Sequence, residues 1–535
     1  MSTRLTDREI EEIARRIAAD ISSGSSVAPA PPPARAGEGA GATQSYAGVT
    51  GVFSTVDEAV RAAKEAQPRF VALKLEHRAR IIAAIRKAML ENCEVLAKAA
   101  WEETGLGRYE DKIVKNRLVT EKTPGLEDLA PIAQSGDHGL VLIEPAPFGV
   151  IGAITPVTNP TSTIICNSIG MLSAGNAVAF NVHPYAKNCC MQTIALINKA
   201  ILGADGPPNV VTGVANPTIE SAQELMRHPL VRLVVVTGGG EVVKVAMNSG
   251  KRAIAAGPGN PPVVVDESAD IDKAARDIIM GASTDNNIIC TDEKEVIAVA
   301  SITDALINSM RNQGAVVIPR ERLPELERVV FTEMRGPRQR AKVDKDLIGK
   351  NASVILAKMG ITASDAVRLV VAEVDENHPL LWTEQMMPVM GVVRVSDANR
   401  AIDFGVELEG GNRHTAVMHS KNLDNLSRMA KACDCSIFVK NGRSQAGLGL
   451  DGEGYCSFTI ASPTGEGMTS PRVGCSQRSK ASSHTARPWA SSNWVWNTSR
   501  SSSCSSALRS ARSVSSRVTA CVCIASSNSS QRAPP

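Results

Sequence analysis

Aromatic side chains are scarce: Phe, Tyr and Trp make up 3% of the 535 residues. Val, Ile, Leu and Ala must therefore do most of the packing. No apolar run approaches the ~18 residues of a membrane-spanning helix. The N-terminus lacks the apolar core of a signal peptide and opens on a charged helical pattern instead. There is no CxxC pair and no His/Cys cluster with metal-ligand spacing, so no metal site is expected. The 12 cysteines are unevenly scattered, which fits reduced thiols and a cytoplasmic setting. Acids are missing from one stretch. Residues 473–535 carry eight Lys or Arg and no Asp or Glu, and without them 50 basic residues face 55 acidic ones. The formal net charge of +3 therefore misleads. The body has no basic surplus, and no nucleic-acid partner is expected.

What remains is a soluble globular composition, 43% hydrophobic and 21% charged, long enough for two or three domains. Residues 6–21, TDREIEEIARRIAADI, form an amphipathic helix pattern. Thr6 and Glu9 make a capping box, and Ile10, Ile13, Ile17 and Ile21 share a face with Ala14 and Ala18. Residues 22–44 are rich in Pro, Gly, Ala and Ser and read as a flexible tether. A short helix on a tether is built to dock, either on another body or back on its own. The body, from Tyr46 to Arg472, opens on two helical patterns, EAVRAAKEAQPRF and a long one from Glu76 to Glu103. Strand-like runs then alternate with helices: VLIEPAPFGVIGAITP, AVAFNVHP, LVVVTGGGEVVKVAMNSG, PPVVVDESADIDKAARDIIMGA and GVVRVSD. That alternation predicts an α/β fold with a largely parallel sheet. Residues 473–535 include 20 Ser and no apolar periodicity, and read as a disordered tail, a frameshifted or non-native extension.

Five segments carry chemistry. TDNNIIC, residues 284–290, is an amide-rich loop delivering one thiol, Cys290, to the mouth of an apolar run. A nucleophilic thiolate must be reachable, and the loop supplies that. In LVVVTGGGEVV, Thr237 precedes Gly238, Gly239 and Gly240 at a strand–turn–helix junction, where backbone and helix N-terminus can take a phosphate; a tight turn is the plainer alternative. In AITPVTNPTS, Thr158 and Asn159 lie between a strand and a helix start, placed either to hold an oxyanion or to cap the helix. The loop AAGPGNPP has no ionisable side chain, and WTEQMMPV puts Glu384 ahead of a strand.

In this order the segments resemble the aldehyde dehydrogenase superfamily. TPVTNPTS, NVHPYAK, GNRHTAVMHS, IFVKNG and SPTGEG resemble its CoA-acylating branch, of the propionaldehyde type found in bacterial microcompartments. The resemblance spans about residues 48–472. It implies a Rossmann-type NAD-binding domain over 48–130 and 148–257, an α/β catalytic domain over 258–445, and a small oligomerisation element of 131–147 and 446–472. By the same resemblance, residues 1–22 are an encapsulation-type helix that docks to shell or cargo inside a microcompartment, 23–47 are its linker, and the protein is a homo-oligomer.

The implied cofactors are NAD and, as co-substrate, coenzyme A. Cys290 becomes the nucleophile, Asn159 the oxyanion donor in preference to Thr158, and His414 an aid to thiol transfer. Thr155, Pro156, His183, Thr237, Gly238, Gly239, Gly240 and Glu384 become the cofactor-binding residues. Hydrolytic relatives carry a glutamate where this chain has Ala256. Without that base, a thioacyl intermediate would wait for a thiol rather than meet activated water. A cysteine with pKa ~8.5 is mostly protonated at neutral pH, so the site is expected to raise the thiolate fraction. Hydrolytic oxidation, reduction of an acyl phosphate (for which Lys294 is the one basic residue near Cys290) and an inactive cargo protein are the rival readings.

Overall fold

The computed structural model describes residues 48–482 and 520–522. The helix expected at 6–21 and its linker lie outside the described residues, as does most of the tail. Among the described residues, no helix is long and apolar enough to cross a membrane.

Six parallel strands form the first sheet, in the order Val52–Phe53, Val211–Val214, Ala177–Asn181, Val150–Ile154, Val231–Thr237, Arg252–Ala256. From Val150–Ile154 the chain first builds outward to one side through Ala177–Asn181 and Val211–Val214. It then returns and builds the other way through Val231–Thr237. The reversal leaves a crevice at the carboxyl ends of Val150–Ile154 and Val231–Thr237, where doubly wound sheets bind ligands. Val150–Ile154 and Ala177–Asn181 are buried along their whole length, as expected of strands covered on both faces.

The second sheet has eight parallel strands: Val316–Ile318, Val370–Val374, Val389–Val395, Glu295–Val299, Pro262–Val265, Thr415–His419, Ile437–Lys440 and Ala520–Val522. Three antiparallel strands, Ile132–Gly136, Gly139–Pro147 and Cys475–Ser482, form a separate arm.

Four sequence expectations need correcting. The long helix from Glu76 to Glu103 is two helices, Leu75–Glu91 and Cys93–Thr104. Asn92 separates them: its side-chain amide donates to the Ala88 carbonyl at 2.8 Å, and its backbone leaves helical geometry. The run VLIEPAPFGVIGAITP is likewise two strands, broken at Gly149, whose φ of +120° few other residues adopt. The tail is not structureless from 473, because Cys475–Ser482 pairs with Gly139–Pro147 from Cys475 opposite Pro147 to Ser482 opposite Leu140. Strand pairing uses backbone groups, so a serine-rich segment without periodicity can still close a sheet. Finally, residues 446–472 do not belong to that arm. Thr464 Oγ1 accepts from the Ala255 amide at 3.0 Å and the Phe458 amide donates to Cys166 Sγ at 3.4 Å, on the side of the first sheet, while Gly447 lies against Ile437 and Val439 of the second.

Candidate active site

The crevice opens into a cavity of about 700 Å³. Its wall takes Thr155–Asn159 from the turn after Val150–Ile154, and His183 from the turn after Ala177–Asn181. Thr237, Gly238 and Gly239 come from the turn after Val231–Thr237, and Cys290 and Glu384 from the second sheet's side. Residues far apart in sequence thus meet because each follows a strand's carboxyl end or a loop facing it. Two of the expected residues are not brought in: Gly240, already inside the helix Gly240–Met247, and His414, which lies behind the wall.

The turn that carries Cys290 is held in an uncommon geometry. Asp285, Asn286 and Asn287 have φ of 46°, 57° and 67°, three successive left-handed residues. Asp and Asn tolerate that region better than other side chains, but a run of three must be braced from outside. The brace is dense. The Arg108 amide donates to Asp285 Oδ1 at 2.7 Å, and Lys112 Nζ meets Oδ2 at 3.0 Å, with Lys115 Nζ on the same oxygen. Asn286 Nδ2 donates to the Gly349 carbonyl at 2.9 Å and to Asn351 Oδ1 at 2.8 Å. Asn287 Nδ2 donates to the Ala282 and Glu293 carbonyls at 2.7 and 2.9 Å, and Lys294 Nζ donates to Asn287 Oδ1 at 2.7 Å.

The carboxylate in this brace stays ionised. Burial works to raise Asp285, but the two lysines overcome it and hold the carboxyl below its ordinary value. Burial in turn lowers Lys112 to about 8, with Asp285 pulling the other way.

The thiol itself corrects an expectation. Burial, then the carboxylates of Glu384 and Asp292, push Cys290 up to about 12, with Lys294 opposing. The pocket therefore keeps the thiol protonated rather than raising the thiolate fraction. Glu384 is raised by burial, against Lys294 and Arg340, so its proton is also held more tightly than usual.

On the far side of the loop GPGNPP stands His414. A Cβ on Gly259 would fall 2.7 Å from the Cys290 carbonyl oxygen and 3.1 Å from His414 Cγ, so only glycine passes between them. His414 Nδ1 shares a 2.9 Å hydrogen bond with Thr415 Oγ1, while its buried Nε2 has no partner. Burial, with Lys294, lowers the ring to about 4 and leaves it neutral at neutral pH.

The cofactor side is mostly backbone and neutral groups. The Gly238 amide donates to the Ala256 carbonyl at 3.1 Å, and Thr237 Oγ1 pairs with Thr459 Oγ1 at 3.1 Å. His183 Nδ1 accepts from the Tyr185 amide at 3.2 Å. Thr155 lines the wall, and its Oγ1 is buried without a partner. Among the described residues the wall holds two carboxylates, Glu384 and Glu241, and the Glu241 side chain is 90% exposed. Nothing ionisable comes from the loop after Ala256; Gly257 and Pro258 supply its part of the wall.

Sequence reading missed the basic residues beneath this wall. Lys112 and Lys115 lie on the helix Tyr109–Lys122, whose buried face also carries Asn116 and Thr120. Lys294 is thus not the sole cation nearby. Yet Lys112 and Lys115 are spent on Asp285, which offers no support for a phosphate-binding cluster.

A doubly wound sheet whose switch-point crevice meets a cysteine loop from a second parallel sheet places a nucleophile beside a dinucleotide-sized cavity, the arrangement of a two-domain enzyme. The chain belongs to the aldehyde dehydrogenase family, whose model matches residues 50–450. Its relatives sharpen the class. It is 48% identical to the acetaldehyde dehydrogenase (acetylating) EutE of Salmonella typhimurium, over 79% of this chain and 90% of that one. Among solved structures, it resembles the Rhodopseudomonas palustris propionaldehyde dehydrogenase with bound CoA and an acylated cysteine. The TM-score is 0.79 and the identity 47%, covering 81% of this chain and 98% of that one. A propionaldehyde dehydrogenase from the Clostridium phytofermentans fucose utilisation bacterial microcompartment matches with TM-score 0.78 and 47% identity, over 81% and 98% of the two chains. This chain is a CoA-acylating aldehyde dehydrogenase of that kind.

Proposed function

We propose that the chain oxidises a short aliphatic aldehyde, propanal or acetaldehyde, to its acyl-CoA thioester through Cys290. The observation that carries the reading is one cavity walled by the Cys290 thiol, the Asn159 amide, Glu384 and the Gly238–Gly239 turn, with no carboxylate at the loop after Ala256. The cavity fits a dinucleotide: it sits at the switch point, is about 700 Å³ in volume, and Gly238 and Gly239 open a helix N-terminus there. Thr155, Pro156, His183, Thr237 and the Gly238–Gly239 turn would hold NAD, with Glu384 on the nicotinamide ribose. When bound, NAD supplies the hydride acceptor.

The chain's own residues do the rest. Cys290 Sγ forms a bond to the aldehyde carbon while its proton leaves to solvent, and the carbonyl oxygen becomes an oxyanion. The Cys290 amide and Asn159 hold that charge. Loss of hydride leaves a thioester on Cys290. The thiol of coenzyme A then takes the acyl group, its proton leaves, and Cys290 is released. His414 assists that transfer from behind the wall rather than at the cavity surface: its ring is neutral, its buried Nε2 has no protein partner, and it packs against Gly259, as does the Cys290 carbonyl. With so low a basicity, its share is smaller than that of a base poised near 7.

The absence of an acid at the His183 turn gives no preference for NAD over NADP. The relative from a microcompartment supports a setting inside such a compartment; docking there through residues 6–21 and a homo-oligomeric state belong to the same proposal. Mass spectrometry tests the chemistry. Propanal and NAD without coenzyme A should leave a propionyl adduct on Cys290 that coenzyme A removes. An unmodified Cys290 alongside free propionate would overturn the reading.

A further inference from the structure

The oxyanion amide and the cysteine loop share one buried cation. Lys115 Nζ donates to Asn159 Oδ1 at 2.7 Å and also binds Asp285 Oδ2, the carboxylate at the head of the left-handed turn. Its side chain is 5% exposed, so this contact is made away from solvent screening. An amide alone does not declare which end is oxygen, but an ammonium can only donate. Lys115 therefore fixes Oδ1 away from the cavity and turns Nδ2 toward it. One Nδ2 hydrogen reaches Thr158 Oγ1 at 3.1 Å, and the other is left for the cavity.

We propose that Lys115 is a positioning residue for the aldehyde oxidation: through Asn159 Oδ1 and Asp285 it locks the Asn159 amide to the turn that carries Cys290. The two halves of the oxyanion site, the Cys290 amide and Asn159 Nδ2, come from different sheets. The Asp285–Lys115–Asn159 chain ties them at a fixed spacing and adds positive polarisation to the amide. This rests on the reading of Asn159 as oxyanion donor, and the test separates the two.

The substitution Lys115→Met keeps the length of the side chain and leaves Asp285 paired with Lys112 at 3.0 Å, so charge balance and fold survive. Steady-state kinetics with propanal, NAD and coenzyme A are compared for the full chain and for Lys115→Met, Asn159→Ala and the double variant. Iodoacetamide labelling of Cys290 and thermal unfolding check integrity. If Asn159→Ala lowers kcat by ~10²–10³, the reading of Asn159 stands. Lys115→Met should then lower kcat by up to ~10² at nearly unchanged KM. The double variant should be no slower than Asn159→Ala, because both act through one amide.

Unchanged kcat in Lys115→Met, or a loss that adds in full to that of Asn159→Ala, overturns the proposal and leaves Asn159 in place. An inert Asn159→Ala overturns both. Should Lys115→Met fail the integrity checks, Lys115→Arg takes its place: it retains the cation but not the fit to Oδ1. A kcat deficit absent from the Asn159→Ala background supports the proposal, and wild-type kcat overturns it.

Discussion

Replacing Asp285 by Asn tests the brace beneath the cysteine loop with almost no change of shape. The carboxylate is fully buried, and Lys112 and Lys115 beside it are 3% and 5% exposed. Asn keeps the volume and can still accept from the Arg108 amide, so neither a cavity nor a lost backbone contact confounds the result. What it removes is the negative charge that compensates two buried ammonium groups. Breaking a buried pair by deleting one partner costs ~3–5 kcal/mol.

Lysine can escape part of that cost by losing its proton. Lys112 already rests at about 8, below its ordinary value, because burial outweighs Asp285. Without Asp285 it falls further. A lysine depressed in the folded state binds more protons when unfolded, so stability rises with pH through the window between the two values. In Asp285→Asn that window extends lower, and the deficit against the wild type shrinks as pH rises. The expected loss is ~3 kcal/mol near pH 6.5, a drop of up to ~1 M in the urea midpoint, and smaller near pH 9.5. Adding Lys112→Met removes one orphaned charge and should restore part of the loss. Tryptophan fluorescence during urea unfolding at both pH values measures it. Equal midpoints at pH 6.5, or a gap that widens with pH, would refute the reasoning.

Other substitutions address the cavity itself. Glu384→Gln removes a like charge beside the thiol, so the pH profile of Cys290 alkylation by iodoacetamide should move down by ~1 unit or more; an unmoved profile contradicts the assigned electrostatics. Gly259→Ala forces a Cβ to 2.7 Å from the Cys290 carbonyl oxygen. Overpacking of this kind costs ~1–3 kcal/mol, and turnover should fall more than tenfold while NAD binding, read by fluorescence titration, is retained. A chain ended after Arg472 loses Cys475–Ser482 and Ala520–Val522, opening the edges of Gly139–Pro147 and Ile437–Lys440. Open edges favour aggregation, so gel filtration should show larger species than for the full chain.

Much of this was legible from residue patterns. The alternation of apolar runs with helical ones predicted a parallel α/β sheet, since strands buried on both faces read as continuous apolar segments, but did not divide it into the two sheets observed. Thr158 and Asn159, Gly238–Gly239 and Cys290 stood out because glycines, amides and a thiol at loop positions have little structural reason to cluster, whereas Thr155, Pro156 and the role of Glu384 came only through the family resemblance. The polar face of Tyr109–Lys122 escaped notice. Its buried Lys112, Lys115 and Asn116 look like a solvated surface until Asp285, far away in sequence, arrives to neutralise them. The protonated state of Cys290 was hidden for the same reason, because Glu384 and Asp292 act through space. The arm strand Cys475–Ser482 carries no side-chain signal at all; its pairing partner is what makes it a strand.

The central claim is that Cys290 forms a thioester that only coenzyme A removes efficiently. The direct test follows NADH formation from propanal and NAD, with and without coenzyme A, in the full chain and in Cys290→Ala. Turnover that requires coenzyme A and vanishes in Cys290→Ala is the predicted result. NADH formed at the same steady rate without coenzyme A, or turnover surviving in Cys290→Ala, would contradict the account.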